Sequence, residues 1–326
     1  MARKRVNKQV PADPDLSSQP PSFASIYPGT PPNDAVADNY AISPVIADGV
    51  RRLEAEVGMP VWLLVQSNRL ADRDDPCQSI DRYVVREFFH SRLSILREGE
   101  PIALVVYSPG GSARYAYELA MLLRRHCGGF VAVVPRYAKS AATLLTLGAD
   151  EILMNVHAEL GPLDAQIYDP EHQEEHRPAL DEVQALEELS AFALRVFDEM
   201  MPRLIGGSDL RTSSLMPVAG EFVARLAAPL FDKIDVVRYT QVARQLKIGE
   251  EYAKRLLEKT YGPDAERISR WLTRQYPEHG FPIYSEELRE IGLRIGTPTD
   301  AIRSILEEMT VYLRGETLIG RVITGD

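Results

Sequence analysis

The sequence predicts an α/β core followed by a helix-rich C-terminal region. Three observations predict it. Short, almost wholly apolar runs recur between residues 60 and 154, as strands buried on both faces do. Between them lie stretches with apolar residues every three or four positions, the period of an amphipathic helix. Beyond residue 180 the short runs stop and only the helical period continues.

Taken in order, residues 1–45 are rich in Pro, Ser, Asp and Asn without hydrophobic period. They read as a flexible Pro-rich arm, or a segment that orders only against a partner. Residues 46–180 form the expected α/β core. It opens with helix-like `IADGVRRLEAEVG` and the β-type run `PVWLLVQS`. An amphipathic helix is expected over Tyr83–Leu96, `YVVREFFHSRLSIL`, then a buried strand `IALVVYS` that ends at Pro109, Gly110 and Gly111. Helix `ARYAYELAMLLRRH` follows, stopped by Gly128 and Gly129. After it come strand `FVAVVP`, short helix `SAATLLTLG` and strand `EILMN`. Strand–helix–strand–helix–strand in this order implies right-handed crossovers.

Residues 181–326 read as mostly helical: `LDEVQALEELSAFALRVFDEMMPRL`, `SLMPVAGEFVARLAAPLFDKI`, `VRYTQVARQLKI`, `GEEYAKRLLEKTY` and `AERISRWLTRQY`. `YSEELREIG` and `PTDAIRSILEEMTVYLRG` add two more helices, with N-caps expected at Ser285 and Thr299.

An apolar fraction of 45% and a charged fraction of 26% are those of a globular chain. No uninterrupted apolar run reaches the eighteen or so residues of a membrane span, and the basic N-terminus lacks the apolar stretch of a secretory signal. No membrane span and a cytoplasmic location are therefore expected. The net charge of −10 argues against nucleic acid as a partner. Cys77 and Cys127 stand in no Cys/His cluster, so neither metal nor cofactor is expected.

The chemistry centres on two stretches. In `PRYAKSAATLLTLGADEILM`, Ser140 stands where a strand gives way to a helix. Serine favours the N-cap, yet the same junction displays nucleophiles in α/β proteins, and helix N-termini favour developing negative charge. Cap and nucleophile both remain open. `AKSAA` is not G-x-S-x-G, so an ordinary α/β-hydrolase elbow is not indicated. The second stretch, `SPGGSA`, is either a simple turn or a loop whose backbone N–H groups face a ligand as an oxyanion hole. Both stretches fall at the C-terminal ends of strands, where open α/β sheets bind ligands.

`VVYSPGGSARYAYELAMLL` followed by `VAVVPRYAKSAATLLTLGADEILMNVHAELGPLDAQI` resembles the Clp/crotonase-fold serine peptidases. The branch it resembles most is the serine dehydrogenase proteinase (SDH) group, related to signal peptide peptidase A and to ClpP; `RWLTRQYPEHGFPIYSEELREIGL` resembles the C-terminal part of that branch. The resemblance implies a ClpP/crotonase-like spiral of ββα units and a serine endopeptidase that hydrolyses peptide bonds through an acyl-enzyme on Ser140. Gly110 or Gly111, with the N–H of Ala141, would form the oxyanion hole. It also implies a peptide or unfolded-protein substrate and a homo-oligomer.

The base is not settled by the resemblance. The place of the ClpP histidine falls near Gly161 and Pro162. Lys139, adjacent to the nucleophile, is a base or a substrate-steering charge. His157 is a base or a surface residue, and His279 a base or a loop histidine. No lysine lies between Lys139 and Lys233, so the lysine dyad of signal peptide peptidase A has no nearby counterpart. The rival readings are a Clp-fold scaffold that has lost efficient catalysis and a crotonase-like acyl chemistry on a thioester.

Overall fold

A computed structural model describes residues 42–67, 78–90, 93–163, 166–168 and 176–322. The arm read over residues 1–45 thus lies, up to residue 41, outside the described residues, as does Cys77.

The elements run α1 (Pro44–Val57), β1 (Val61–Gln66), a π-helix (Tyr83–Phe89), β2 (Ile102–Tyr107), α2 (Ala113–His126), β3 (Phe130–Val134), β4 (Tyr137–Ala138), α3 (Ala141–Thr146), β5 (Glu151–Met154), β6 (Glu159–Leu160), β7 (Gln166–Tyr168), β8 (His176–Pro178), α4 (Ala179–Gly206), α5 (Thr212–Phe231), α6 (Val236–Tyr261), α7 (Asp264–Arg274), α8 (Ser285–Glu290), β9 (Ile295–Gly296), α9 (Asp300–Leu313) and β10 (Thr317–Arg321). The main sheet has six strands in the order β10-β1-β2-β3-β5-β9. All neighbours are parallel except β10, which runs antiparallel to β1.

The apolar runs are strands buried on both faces, and their side chains alternate between two cores. Val61, Leu63, Val65, Ala103 and Val105 point into a core closed by α1 and α9. Trp62, Leu64, Leu104 and Val106 point into the other, closed by the π-helix, α2, α3, α6 and α7. The C-terminal region is helix-rich, as its period implies, and it also supplies both edge strands, β9 and β10.

Three local expectations are corrected. The helix expected over Tyr83–Leu96 is a π-helix ending at Phe89; the His90 N–H donates to Val85 O, five residues back. `VRYTQVARQLKI` and `GEEYAKRLLEKTY` form one 26-residue helix, α6, through a buried Gly249. Ser285 is the first residue of α8 and its hydroxyl accepts from Arg289 instead of capping. Thr299 caps α9 as expected, accepting from the Ile302 N–H at 3.2 Å. The basic end of α2 is more than a solvated face: Arg124 donates to Gly148 O at 2.6 Å and Leu256 O at 2.7 Å, tying α2 to the end of α3 and to α6.

Candidate active site

Ser140 occupies the N-cap position of α3, but its hydroxyl makes no capping bond. Its backbone has φ 52° and ψ −119°, and it is the one non-glycine residue of positive φ among the described residues. Such a conformation costs an L-residue on the order of 1–3 kcal/mol and persists only where the surroundings impose it. This is a strained strand-to-helix elbow built without G-x-S-x-G. The signal for it was present. Ala138 and Ala142, two positions before and after Ser140, are small and fully buried, and stand where the motif has glycines.

The surroundings that impose the turn are polar and specific. The Ser108 N–H donates to Tyr137 O, and the Lys139 N–H to Ser108 O, so β2 is stitched to the two residues entering the elbow. The buried Thr143 hydroxyl donates to Ala138 O at 2.6 Å and accepts from the Gly161 N–H at 3.0 Å. The Ala142 N–H closes the turn on Lys139 O at 2.8 Å.

The `SPGG` loop packs directly on this elbow. Gly110 has φ 112°, and a Cβ there would stand 2.6 Å from Lys139 O and 2.9 Å from Ser140 Cβ. Its N–H is engaged, donating to Ser108 Oγ at 3.1 Å, while that hydroxyl donates to Gln66 Oε1 at 2.6 Å. Gly111, φ 143°, bridges Ile80 so closely that a Cβ would lie 2.5 Å from Ile80 O. The Ile80 N–H donates to Gly110 O and the Ser112 N–H to Ile80 O, which fixes the loop from both sides. Of the two glycines, Gly111 therefore has the N–H that is not committed to Ser108. The Ala141 N–H is the first of α3 and has no partner within the helix.

A cleft of about 390 Å³ opens over these atoms. Pro109, Gly111, Ser140 and Ala141 line it together with the apolar Leu144, Leu163 and Ile248 and the polar Ser112, Arg114, Gln245 and His279. The expected base candidates separate clearly. His279 shares the cleft with Ser140. His157 is exposed in the turn after β5 and does not line the cleft. Lys139 turns away from it: its Nζ lies 2.9 Å from Glu159 Oε1 and faces the carbonyl oxygens of Leu160, Gly280 and Phe281. The supporting residues Gln66, Ile80, Thr143 and Glu159 carry no motif of their own. Only their contacts show them.

Residues 90–178 match the family described as ClpP-like SDH-type serine proteinase. Among curated proteins, the chain is similar to uncharacterized protein MJ1495 of Methanocaldococcus jannaschii, 26% identical over 216 residues, which are 66% of this chain and 58% of that one. It is also similar to uncharacterized protein MJ0137 of the same organism, 28% identical over 199 residues, 61% of this chain and 54% of that one. The chain thus spans a little over half the length of these relatives.

Proposed function

We propose, for a chain whose residues 90–178 match the family described as ClpP-like SDH-type serine proteinase, that it cleaves peptide bonds through an acyl-enzyme on Ser140. One observation carries the reading: a strained serine whose hydroxyl forgoes the cap and lines a cleft next to Gly111 and Ala141. In the first step Ser140 Oγ attacks the carbonyl carbon and its proton passes to His279. The carbonyl oxygen becomes an oxyanion that accepts from the N–H groups of Gly111 and Ala141. His279 then gives the proton to the departing amine as the C–N bond breaks. Water, deprotonated by the same imidazole, hydrolyses the ester. Leu144, Leu163 and Ile248 suit an apolar side chain of an extended, unfolded peptide.

The test uses a fluorophosphonate probe and a casein digest. Labelling that disappears in Ser140→Ala, together with Ser140-dependent cleavage, supports the peptidase. Absence of both leaves an inactive scaffold, and labelling by an acyl-CoA analogue in their place points to thioester chemistry.

The proposed assembly is a homo-oligomer that uses α5. Val218, Phe222, Leu226 and Leu230 repeat at helical spacing on this helix, all exposed. By length and composition α5 could also cross a bilayer, but the Glu221–Arg225 ion pair at 2.7 Å fits a protein contact better. Phe222→Asp with Leu226→Asp is expected to shift the mass measured by light scattering to that of the monomer. An unchanged mass excludes α5 as the contact.

A further inference from the structure

Lys139 precedes the nucleophile, yet its head group is spent elsewhere. Its stem crosses Gly161 so closely that a Cβ there would stand 2.7 Å from Lys139 Cδ. The side chain is only 15% exposed. Its ammonium has Glu159 Oε1 at 2.9 Å and the carbonyls of Leu160 at 3.3 Å, Gly280 at 3.4 Å and Phe281 at 3.4 Å. Gly280 and Phe281 are the two residues directly after His279.

We propose that Lys139 and Glu159 form a positioning clamp: one ammonium docks the segment that carries His279 against the residue that precedes Ser140. The inference rests on the reading of His279 as the base. An ammonium offers three donors and no acceptor, and here it meets only acceptors, one of them a carboxylate. No neutral side chain satisfies that set, because Glu159 would keep a half-buried charge without its partner. The segment is independently paired further along, where Leu160 and Ile283 exchange both backbone hydrogen bonds, at 3.0 and 3.1 Å. Removing the clamp therefore loosens residues 279–281 and leaves their chain direction intact. A proton transfer from Ser140 to a group on that segment depends steeply on its placement, since a misplacement of about 1 Å can cost on the order of a hundredfold in rate.

The experiment compares the full chain with Lys139→Met, Lys139→Arg and Glu159→Gln. It reads the fluorophosphonate labelling rate of Ser140, kcat and KM on a peptide substrate, and hydrogen exchange over residues 279–283. Lys139→Met is expected to lower kcat and the labelling rate by roughly ten- to a hundredfold, with KM held within about twofold, and to speed exchange over 279–283. Lys139→Arg keeps a charged donor that cannot be deprotonated. It should restore much of the rate if Lys139 is a clamp, and none of it if Lys139 is the base. Glu159→Gln preserves shape and is expected to show a smaller effect in the same direction, which covers the case in which Lys139→Met fails to fold. Wild-type labelling and exchange in Lys139→Met, or an Arg variant as inactive as the Met variant, overturns the proposal. If the unmodified chain itself is not labelled, the peptidase reading falls, and unchanged exchange in Lys139→Met would still remove the clamp separately.

Discussion

Gly110→Ala places one methyl group against the backbone on either side of Ser140. Two costs can be separated. The first is conformational: φ 112° lies where L-residues lose about 1–2 kcal/mol for want of steric room. The second is contact: the new Cβ would stand 2.6 Å from Lys139 O, 2.9 Å from Ser140 Cβ and 3.0 Å from Ala141 N. Two of these are backbone atoms, which cannot swing aside, so the overpacking cost falls in the range of about 1–3 kcal/mol. Together the loss is about 2–5 kcal/mol. Gly58 is the control, because it has φ 68° and nothing within 4 Å of a built Cβ; Gly58→Ala meets the conformational cost alone, about 1–2 kcal/mol. Urea unfolding of the two variants gives the difference directly, and fluorophosphonate labelling gives its functional side. Gly110→Ala should be the less stable by about 1–3 kcal/mol and should lose Ser140 labelling, while Gly58→Ala labels normally. Equal midpoints and equal labelling would refute the claim that this loop and the elbow are fitted to each other.

Other perturbations follow from the same geometry. Ser140→Ala should unfold at nearly the wild-type urea concentration, because there is no side-chain cap to lose; a drop of about 1 kcal/mol would show that the serine caps after all. Ser140→Gly releases the strained φ, and even after glycine's entropic cost of about 0.5–1 kcal/mol it should be the more stable of the two, as calorimetry can check. Hydrogen bonds from Arg86 at 2.9 and 3.0 Å hold the Glu118 carboxyl below its ordinary value of 4.5. The stability it adds over Glu118→Gln should be present above that pH and fade as pH falls through the lowered value. With both side chains partly exposed, it should stay under about 1 kcal/mol. Burial pushes the Cys127 thiol up to about 11, so in a Cys77→Ser background the native chain should resist a thiol reagent at mildly alkaline pH and react once unfolded.

Which of these features a reader of the sequence can find depends on how local their causes are. The strands β1, β2 and β3 were legible because burial on both faces leaves an unbroken apolar run. The N-cap Thr299 was legible because its cause lies within one helical turn. Gly249 misled for an instructive reason: a glycine between two helical stretches reads as a stop. Here α6 passes unbroken and the glycine serves close approach, since a Cβ would touch Leu163 O at 3.4 Å. The strand β9 escaped notice because two residues carry no period, and β10 because its partner β1 lies at the other end of the chain. In the site, the serine and the glycine loop were legible as residue types, and the roles of the charged residues were not. Whether Lys139 faces the cleft or Glu159 is decided by Gly161, which leaves room for its stem, and by carbonyls at 280 and 281.

The strain at Ser140 and the polar framework around it explain each other. An elbow that costs on the order of 1–3 kcal/mol would relax into an ordinary helix start if its neighbours allowed it, and a capping hydroxyl would help that relaxation. Instead, the carbonyl of Ala138 is taken by Thr143, that of Lys139 by the Ala142 N–H, and the Lys139 N–H by Ser108. At about 0.5–1.5 kcal/mol apiece, three such bonds contribute about as much as the strain removes. Each would be broken by relaxation of the turn, because each holds a backbone group of the residues that set its direction. Ser108 links this framework to the second half of the site, since its hydroxyl also accepts from Gly110. Ser108→Ala keeps the backbone bonds to Tyr137 and Lys139 but leaves the Gly110 N–H without its buried partner, at about 1–3 kcal/mol, and so reaches the elbow through Gly110, which packs on Lys139 O. Coupling measured in a double-mutant cycle with Thr143→Val should exceed about 0.5 kcal/mol if the framework acts as one unit. Additive losses would mean that the serine is held by two independent supports.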